Sequence, residues 1–224
     1  MSINPRLRVQ AEDKYAHIKP LPDPPKKPDA MQQRRNIVRA HSILEDYFSH
    51  RPDVLVNGDG YLCYDTRDRA NWTVPDCVVA FGVDPGAIDA RNGYVISEVG
   101  KPPEFVLEVA SSSTGERDVT AKREIYAGHE IAEYWRFDCT GGNYHGGLLA
   151  GDLLVDGEYR PVQLNTSEDG VIWGYSAVLG LVLCWHDGRL RFYDPVEEEY
   201  LPELSEAKAE LRRLREELRR QTPE

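Results

Sequence analysis

The sequence predicts an α/β (α+β) domain, a mixed β-sheet flanked by helices, with a charged helix at the C-terminal end. Three observations predict it. Helical and strand-like patterns alternate early in the chain, and a strand-rich half follows. Two early apolar runs, Cys77-Val78-Val79-Ala80-Phe81 and Phe105-Val106-Leu107-Glu108-Val109-Ala110, read as central strands covered on both faces. The second half is a series of short apolar runs punctuated by glycine. No internal repeat interrupts this pattern.

Residues 1–30 are polar, and Pro20, Pro22, Pro24, Pro25 and Pro28 exclude helix there and favour an extended arm. A helix is predicted from Asp29 to His50, with Asp29 as N-cap and Ile37, Ala40, Leu44, Tyr47 and Phe48 as its apolar stripe. Arg51-Pro52 ends it. Val54-Leu55-Val56 and Tyr61-Leu62-Cys63-Tyr64 read as strands and flank the turn-forming cluster Asn57-Gly58-Asp59-Gly60. A strand near 74–82 is broken by Asp84-Pro85-Gly86. Tyr94 to Val99 reads as strand or loop. Lys101-Pro102-Pro103 precedes the strand 104–110, a helix spans 118–128, and Glu133 to Asp138 is a further strand. Short strands follow at 147–155, 158–164, 171–175, 179–185 and 189–193, with a hairpin turn at Trp185-His186-Asp187-Gly188-Arg189. The tail, 203–221, is a charged helix whose Leu204, Ala207, Leu211, Leu214 and Leu218 alternate three- and four-residue steps. It either packs on the domain or pairs with a second copy as a homodimer. The chain thus divides into an arm (1–30), a domain (31–200) and the tail helix (201–224).

Composition narrows the function classes. The chain has 224 residues, 41% of them hydrophobic, enough for one substantial core. No apolar run is long enough to span a membrane, and the N-terminus lacks the apolar core of a secretory leader, so a cytoplasmic protein is expected. Cys63, Cys77, Cys139 and Cys184 have no zinc spacing and read as free core thiols. The formal net charge of −11 counts against a broad non-specific nucleic-acid binder, whose phosphate contacts come from Lys and Arg clusters. It leaves room for a nuclease that borrows positive charge from a metal ion.

Alternation along 104–110 sets Glu104, Val106, Glu108 and Ala110 on one face and Phe105, Leu107 and Val109 on the other. A buried carboxylate such as Glu108 costs several kcal/mol unless paired or ligated. Asp76 repeats the pattern after Pro75, at the start of the other apolar run. Lys122 is the more discriminating residue. At about 100° per residue, Val119, Ile125 and Tyr126 surround it on the helix, while Thr120, Glu124 and Ala127 fall on the far side. A solvated lysine belongs with Glu124. Lys122 instead sits on the apolar stripe, where it either snorkels out to solvent or is aimed at a carboxylate or a substrate beneath the helix. Asp118, one turn earlier, either caps the helix or joins the site. Ser111 lacks a nucleophile-elbow context, and His41, His129 and His145 show no metal spacing. Two carboxylates on neighbouring strands suit Mg²⁺, an oxygen-seeking ion that keeps waters, and a nearby lysine can steady the charge of a phosphate transition state.

In order, Pro75-Asp76, Glu108-Val109-Ala110, Asp118…Lys122…Tyr126 and Glu133-Tyr134-Trp135 resemble the Uma-two-type restriction endonucleases, a branch of the PD-(D/E)XK nuclease superfamily. The resemblance covers about residues 30–200. It implies a restriction-endonuclease-like core and Mg²⁺-dependent hydrolysis of DNA phosphodiesters, with Mn²⁺ as a substitute. Carried over by position, Asp76 and Glu108 are the metal-binding acids. Ala110 stands where the wider superfamily has lysine, and Lys122 takes that role from the following helix. Glu45 on the first long helix corresponds to an extra acid that some members use. Two rivals stand beside this expectation. One is a catalytically silent binding or regulatory module on the same scaffold, and the other is a homodimeric interaction protein acting through residues 203–221.

Overall fold

The structure, a computed structural model, describes residues 14–25 and 31–221. Asp29 and Pro28 lie outside them. Pro20, Pro22, Pro24 and Pro25 fall in an irregular segment laid against the domain. Its Leu21 is buried with Cys63 and Val95, and the Leu21 N–H donates to the Arg91 carbonyl at 2.8 Å. The first helix, α1, runs Met31–Tyr47, and its buried stripe is Gln33, Asn36, Ile37, Ala40, Ile43 and Leu44.

The central sheet has six strands in the order β1 (Val54–Asn57), β3 (Cys77–Phe81), β5 (Phe105–Val109), β6 (Glu133–Phe137), β7 (Leu149–Val155), β8 (Glu158–Pro161). All neighbours are antiparallel except β5 and β6. That pair is parallel because helices, not a hairpin, return the chain between them. These helices are α4 (Gly115–Val119) and α5 (Ala121–Gly128). The sequence predicts one helix here. The backbone breaks it at Thr120, whose φ of −118° and ψ of −97° leave the helical region.

The strands on either side of Asn57-Gly58-Asp59-Gly60 form but do not pair with each other. β1 pairs with β3, whereas β2 (Tyr61–Cys63) pairs in parallel with β4 (Gly93–Val95). The turn cluster instead carries the chain away from the sheet edge, past α1. At Gly58 a Cβ would lie 2.3 Å from the Asp76 carbonyl oxygen and 2.4 Å from His41 Nε2, so only glycine fits this passage. Between β3 and β5 the chain forms α2 (Pro85–Arg91) and α3 (Ile96–Val99). Asp84 caps α2 by accepting from the Ala87 N–H.

The strand-rich second half does not extend the central sheet beyond β8. It builds a second, antiparallel sheet in the order β13 (Glu199–Tyr200), β12 (Arg189–Asp194), β11 (Leu181–His186), β10 (Ile172–Ser176), β9 (Asn165–Thr166). Asp187 and Gly188, both at positive φ, make the two-residue turn between β11 and β12, as their sequence predicts. One core joins the two sheets: Phe105, Leu107, Trp135 and Phe137 meet α1 and Leu181, Leu183, Leu190 and Phe192. The other face of the central sheet packs Val78, Val106 and Tyr134 against Tyr126 and Ile131. The last helix, α6 (Leu204–Gln221), stands clear of both cores. The four cysteines are free thiols.

Candidate active site

β5 is buried at every position, and its alternation puts Glu108 on the face covered by α5. The register of β3 with β5 pairs Cys77 with Leu107, so one further step sets Asp76 opposite Glu108. Directly opposed residues carry their Cβ atoms about 5 Å apart. The end of β5 also holds Asp76 directly, because the Val109 N–H donates to Asp76 Oδ2 at 2.7 Å. On the other side His41 Nε2 lies 2.6 Å from the Asp76 carbonyl oxygen. A carbonyl only accepts, so this ring nitrogen carries the proton. Gln33, buried on α1, donates to the Val109 carbonyl at 2.9 Å and ties the same strand end to the helix.

Lys122 reaches this point from α5. Its Nζ lies 2.7 Å from Glu108 Oε1 and 2.9 Å from Asp118 Oδ1, and it is only 6% exposed. Tyr126, one turn on, donates to the same Glu108 Oε1 at 2.6 Å. Asp118 is fully buried and has His145 Nε2 at 3.1 Å from its Oδ2. A connecting loop supplies that histidine. Asp138, at the end of β6, accepts from the N–H groups of Thr140, Tyr144 and His145 and from the Thr140 hydroxyl. These bonds fold the loop back over α4. At Gly115 a Cβ would lie 2.7 Å from the Tyr144 Cβ and carbonyl oxygen, so α4 and the loop touch without space for a side chain.

Three carboxylates therefore surround one ammonium. Burial pushes the Asp76 carboxyl well above its ordinary range, and the Glu108 charge pushes it the same way. Burial likewise raises Glu108, against the pull of Lys122. Burial would also raise Asp118, but the hydrogen bond with His145 and the charge of Lys122 bring it below the usual value. Lys122 is raised despite its burial, because Glu108 and Asp118 hold the proton on it. It is a fixed cation and no proton acceptor.

A divalent ion fits the donor set that remains. Among the described residues, no hydrogen bond reaches Asp76 Oδ1 or Glu108 Oε2. No group of three or more His, Cys, Asp or Glu side chains able to hold a metal occurs among the described residues. Two carboxylates are nevertheless the usual protein share for Mg²⁺, which keeps waters and takes further oxygens from a phosphate substrate. The raised carboxyls point the same way, since added positive charge would relieve them.

The structure brings Asp76, Glu108, Lys122 and Asp118 together. Glu45 lies exposed on α1, where its charge acts on Asp89, and no hydrogen bond or ion pair joins it to these four among the described residues. Four residues of the arrangement are not read from sequence as parts of it, Gln33, His41, Asp138 and His145, and Tyr126 stands in the quoted motif without a role.

Residues 24–220 match the family described as "Uma2: Putative restriction endonuclease". No curated protein matches the chain. A crystal structure described as a "putative nuclease belonging to DUF820" from Anabaena variabilis ATCC 29413 is similar over 69% of this chain and 76% of its own, at 14% identity and a TM-score of 0.47.

Proposed function

We propose that this chain, which belongs to the Uma2 restriction-endonuclease family, is an endonuclease that hydrolyses DNA phosphodiester bonds with Mg²⁺ or Mn²⁺. The observation that carries the reading is the meeting of Asp76, Glu108 and Lys122, with Ala110 vacating the nearer lysine position. Asp76 and Glu108 would hold the ion through Oδ1 and Oε2, which accept no hydrogen bond among the described residues. When bound, a divalent ion there lowers the pKa of a coordinated water and neutralises charge on the phosphate.

The protein's own groups divide the remaining work. Lys122 keeps its proton, so its part is to stabilise negative charge as the phosphorus becomes five-coordinate. Asp118 is committed to Lys122 and His145 and holds the ammonium in place. Tyr126 fixes the Glu108 carboxylate through Oε1, and Oε2 would be the oxygen offered to the ion. The net charge of −11 favours one rival, a silent module that binds metal without turnover.

The test separates them. Asp76→Asn should abolish Mg²⁺- or Mn²⁺-dependent nicking of supercoiled plasmid while leaving the circular dichroism spectrum intact. It should also abolish the binding heat of Mn²⁺ in calorimetry. Metal binding by a wild type that cuts no DNA would favour the silent module, and cleavage by Asp76→Asn at the wild-type rate would overturn the assignment.

A further inference from the structure

α6 is exposed from Leu204 to Arg220. Leu204, Leu211 and Leu214 are 59%, 47% and 50% exposed, although they share one stripe of the helix. Arg39 pairs with Glu203 at 2.8 Å and Arg191 with Glu206 at 3.0 Å, which anchors the start of the helix to the domain and lets its length project. An apolar stripe on a projecting helix needs a partner, and the charges beside it say which.

With Leu204, Leu211 and Leu218 at a positions and Ala207 and Leu214 at d positions, the g positions are Glu203, Glu210 and Glu217. The e positions between them are Lys208 and Arg215. Every g is thus acidic and every e basic. An antiparallel pair sets g against g and e against e, which opposes like charges along both flanks. A parallel, in-register pair sets each g beside the following e of the other helix, which joins opposite charges on both flanks. Glu203 is held by Arg39 of the domain, whereas Glu210 pairs only with the exposed Arg213 of its own helix among the described residues, so Glu210 of one copy with Arg215 of the other is the pair that selects the arrangement.

We infer that α6 is the interface of a parallel, in-register homodimer of this chain. A helix this short is marginal as an isolated seam. Its apolar surface continues onto the domain, however. A groove of about 510 Å³ between the start of α6 and α1 is lined by Met31, Val38, Ile43 and Leu204, with Met31 77% and Val38 52% exposed. The inference does not depend on the chemistry of the site.

Charge exchange tests it on the full chain, by light scattering coupled to size-exclusion chromatography. Wild type should have twice the chain mass. Glu210→Arg alone and Arg215→Glu alone place like charges on both flanks, and each should have the mass of one chain at the same concentration. An equimolar mixture of the two variants restores opposite charges in a parallel pair and should recover the doubled mass. Neither change touches a buried residue, so both variants should keep the wild-type melting profile of the domain. A wild type with the mass of one chain, dimers that survive both single variants, or a mixture that stays monomeric would each overturn the inference.

Discussion

Glu108 and Glu133 sit on the parallel neighbours β5 and β6, and each is about 1% exposed. By burial and residue type they are equivalent. Their partners differ. Glu133 spends both oxygens on neutral donors: the Trp135 indole and the Ser176 hydroxyl on Oε2, and the Val178 N–H on Oε1. It staples the second sheet to the first and pairs with no cation among the described residues. Glu108 concentrates a lysine and a tyrosine on Oε1, faces a second carboxylate across the sheet, and keeps Oε2 without a protein donor among the described residues. A buried carboxylate is therefore no mark of a site in itself. What marks one is a carboxylate left incompletely satisfied beside charges that a ligand could complete.

The largest expected break in this contrast is Lys122→Met. It removes the cation that bridges Glu108 and Asp118, and a buried pair broken from one side costs about 3–5 kcal/mol. Urea denaturation should show a loss of that size, and a loss under 1 kcal/mol would mean that the carboxylates had taken up protons instead. Glu133→Ala should cost less, about 1–3 kcal/mol, because it strands neutral donors only. Plasmid nicking by the folded Glu133→Ala protein should stay at the wild-type rate. Loss of nicking there, without loss of fold, would erase the distinction between the two glutamates.

Much of the site was legible because it lies on regular elements. The period of a strand assigned Glu108 to one face, and the period of a helix put Lys122 on an apolar stripe; burial of both follows that phase. Gln33 left a signal that could have been read, since Gln33, Ile37, Ala40 and Leu44 share the buried stripe of α1. A polar residue in that phase needs a polar partner, and Val109 supplies it. His145 left no such signal. It reaches Asp118 through a loop whose shape depends on four donors converging on Asp138, and loop contacts have no period. The pairing of strands was also beyond local pattern. Asn57-Gly58-Asp59-Gly60 has turn composition, but β1 pairs with β3, and Gly58 serves a close approach instead. Likewise, short runs announced the later strands but not that they form a separate sheet against α1.

A divalent ion should sharpen the contrast by stabilising one glutamate's surroundings alone. At ten times its dissociation constant, an ion bound only by the folded protein adds about 1.4 kcal/mol. Thermal unfolding with Mn²⁺ should show this gain for wild type and for Glu133→Ala, and none for Asp76→Asn or Glu108→Gln. A gain that survives in Asp76→Asn would place the ion elsewhere.

The smallest effect is the change in stability of Asp76→Asn without metal, and its sign is the informative part. Asp76 has its carboxyl raised by burial and by Glu108, so the folded protein holds that proton more tightly than the unfolded chain does. As pH rises above the ordinary value of 3.8, the unfolded chain loses the proton first, and stability falls until the folded carboxyl ionises as well. At neutral pH the native aspartate is then a net cost to the metal-free fold, and the isosteric amide removes it. Metal-free Asp76→Asn should accordingly unfold at a higher urea concentration than wild type at pH 7, and the gap should close as pH falls towards 4. The same substitution would abolish nicking and Mn²⁺ stabilisation. A protein made more stable and inactive by one change of atom type is what a strained, ligand-seeking carboxylate predicts, and a less stable Asp76→Asn would instead make Asp76 a structural staple of the kind Glu133 is.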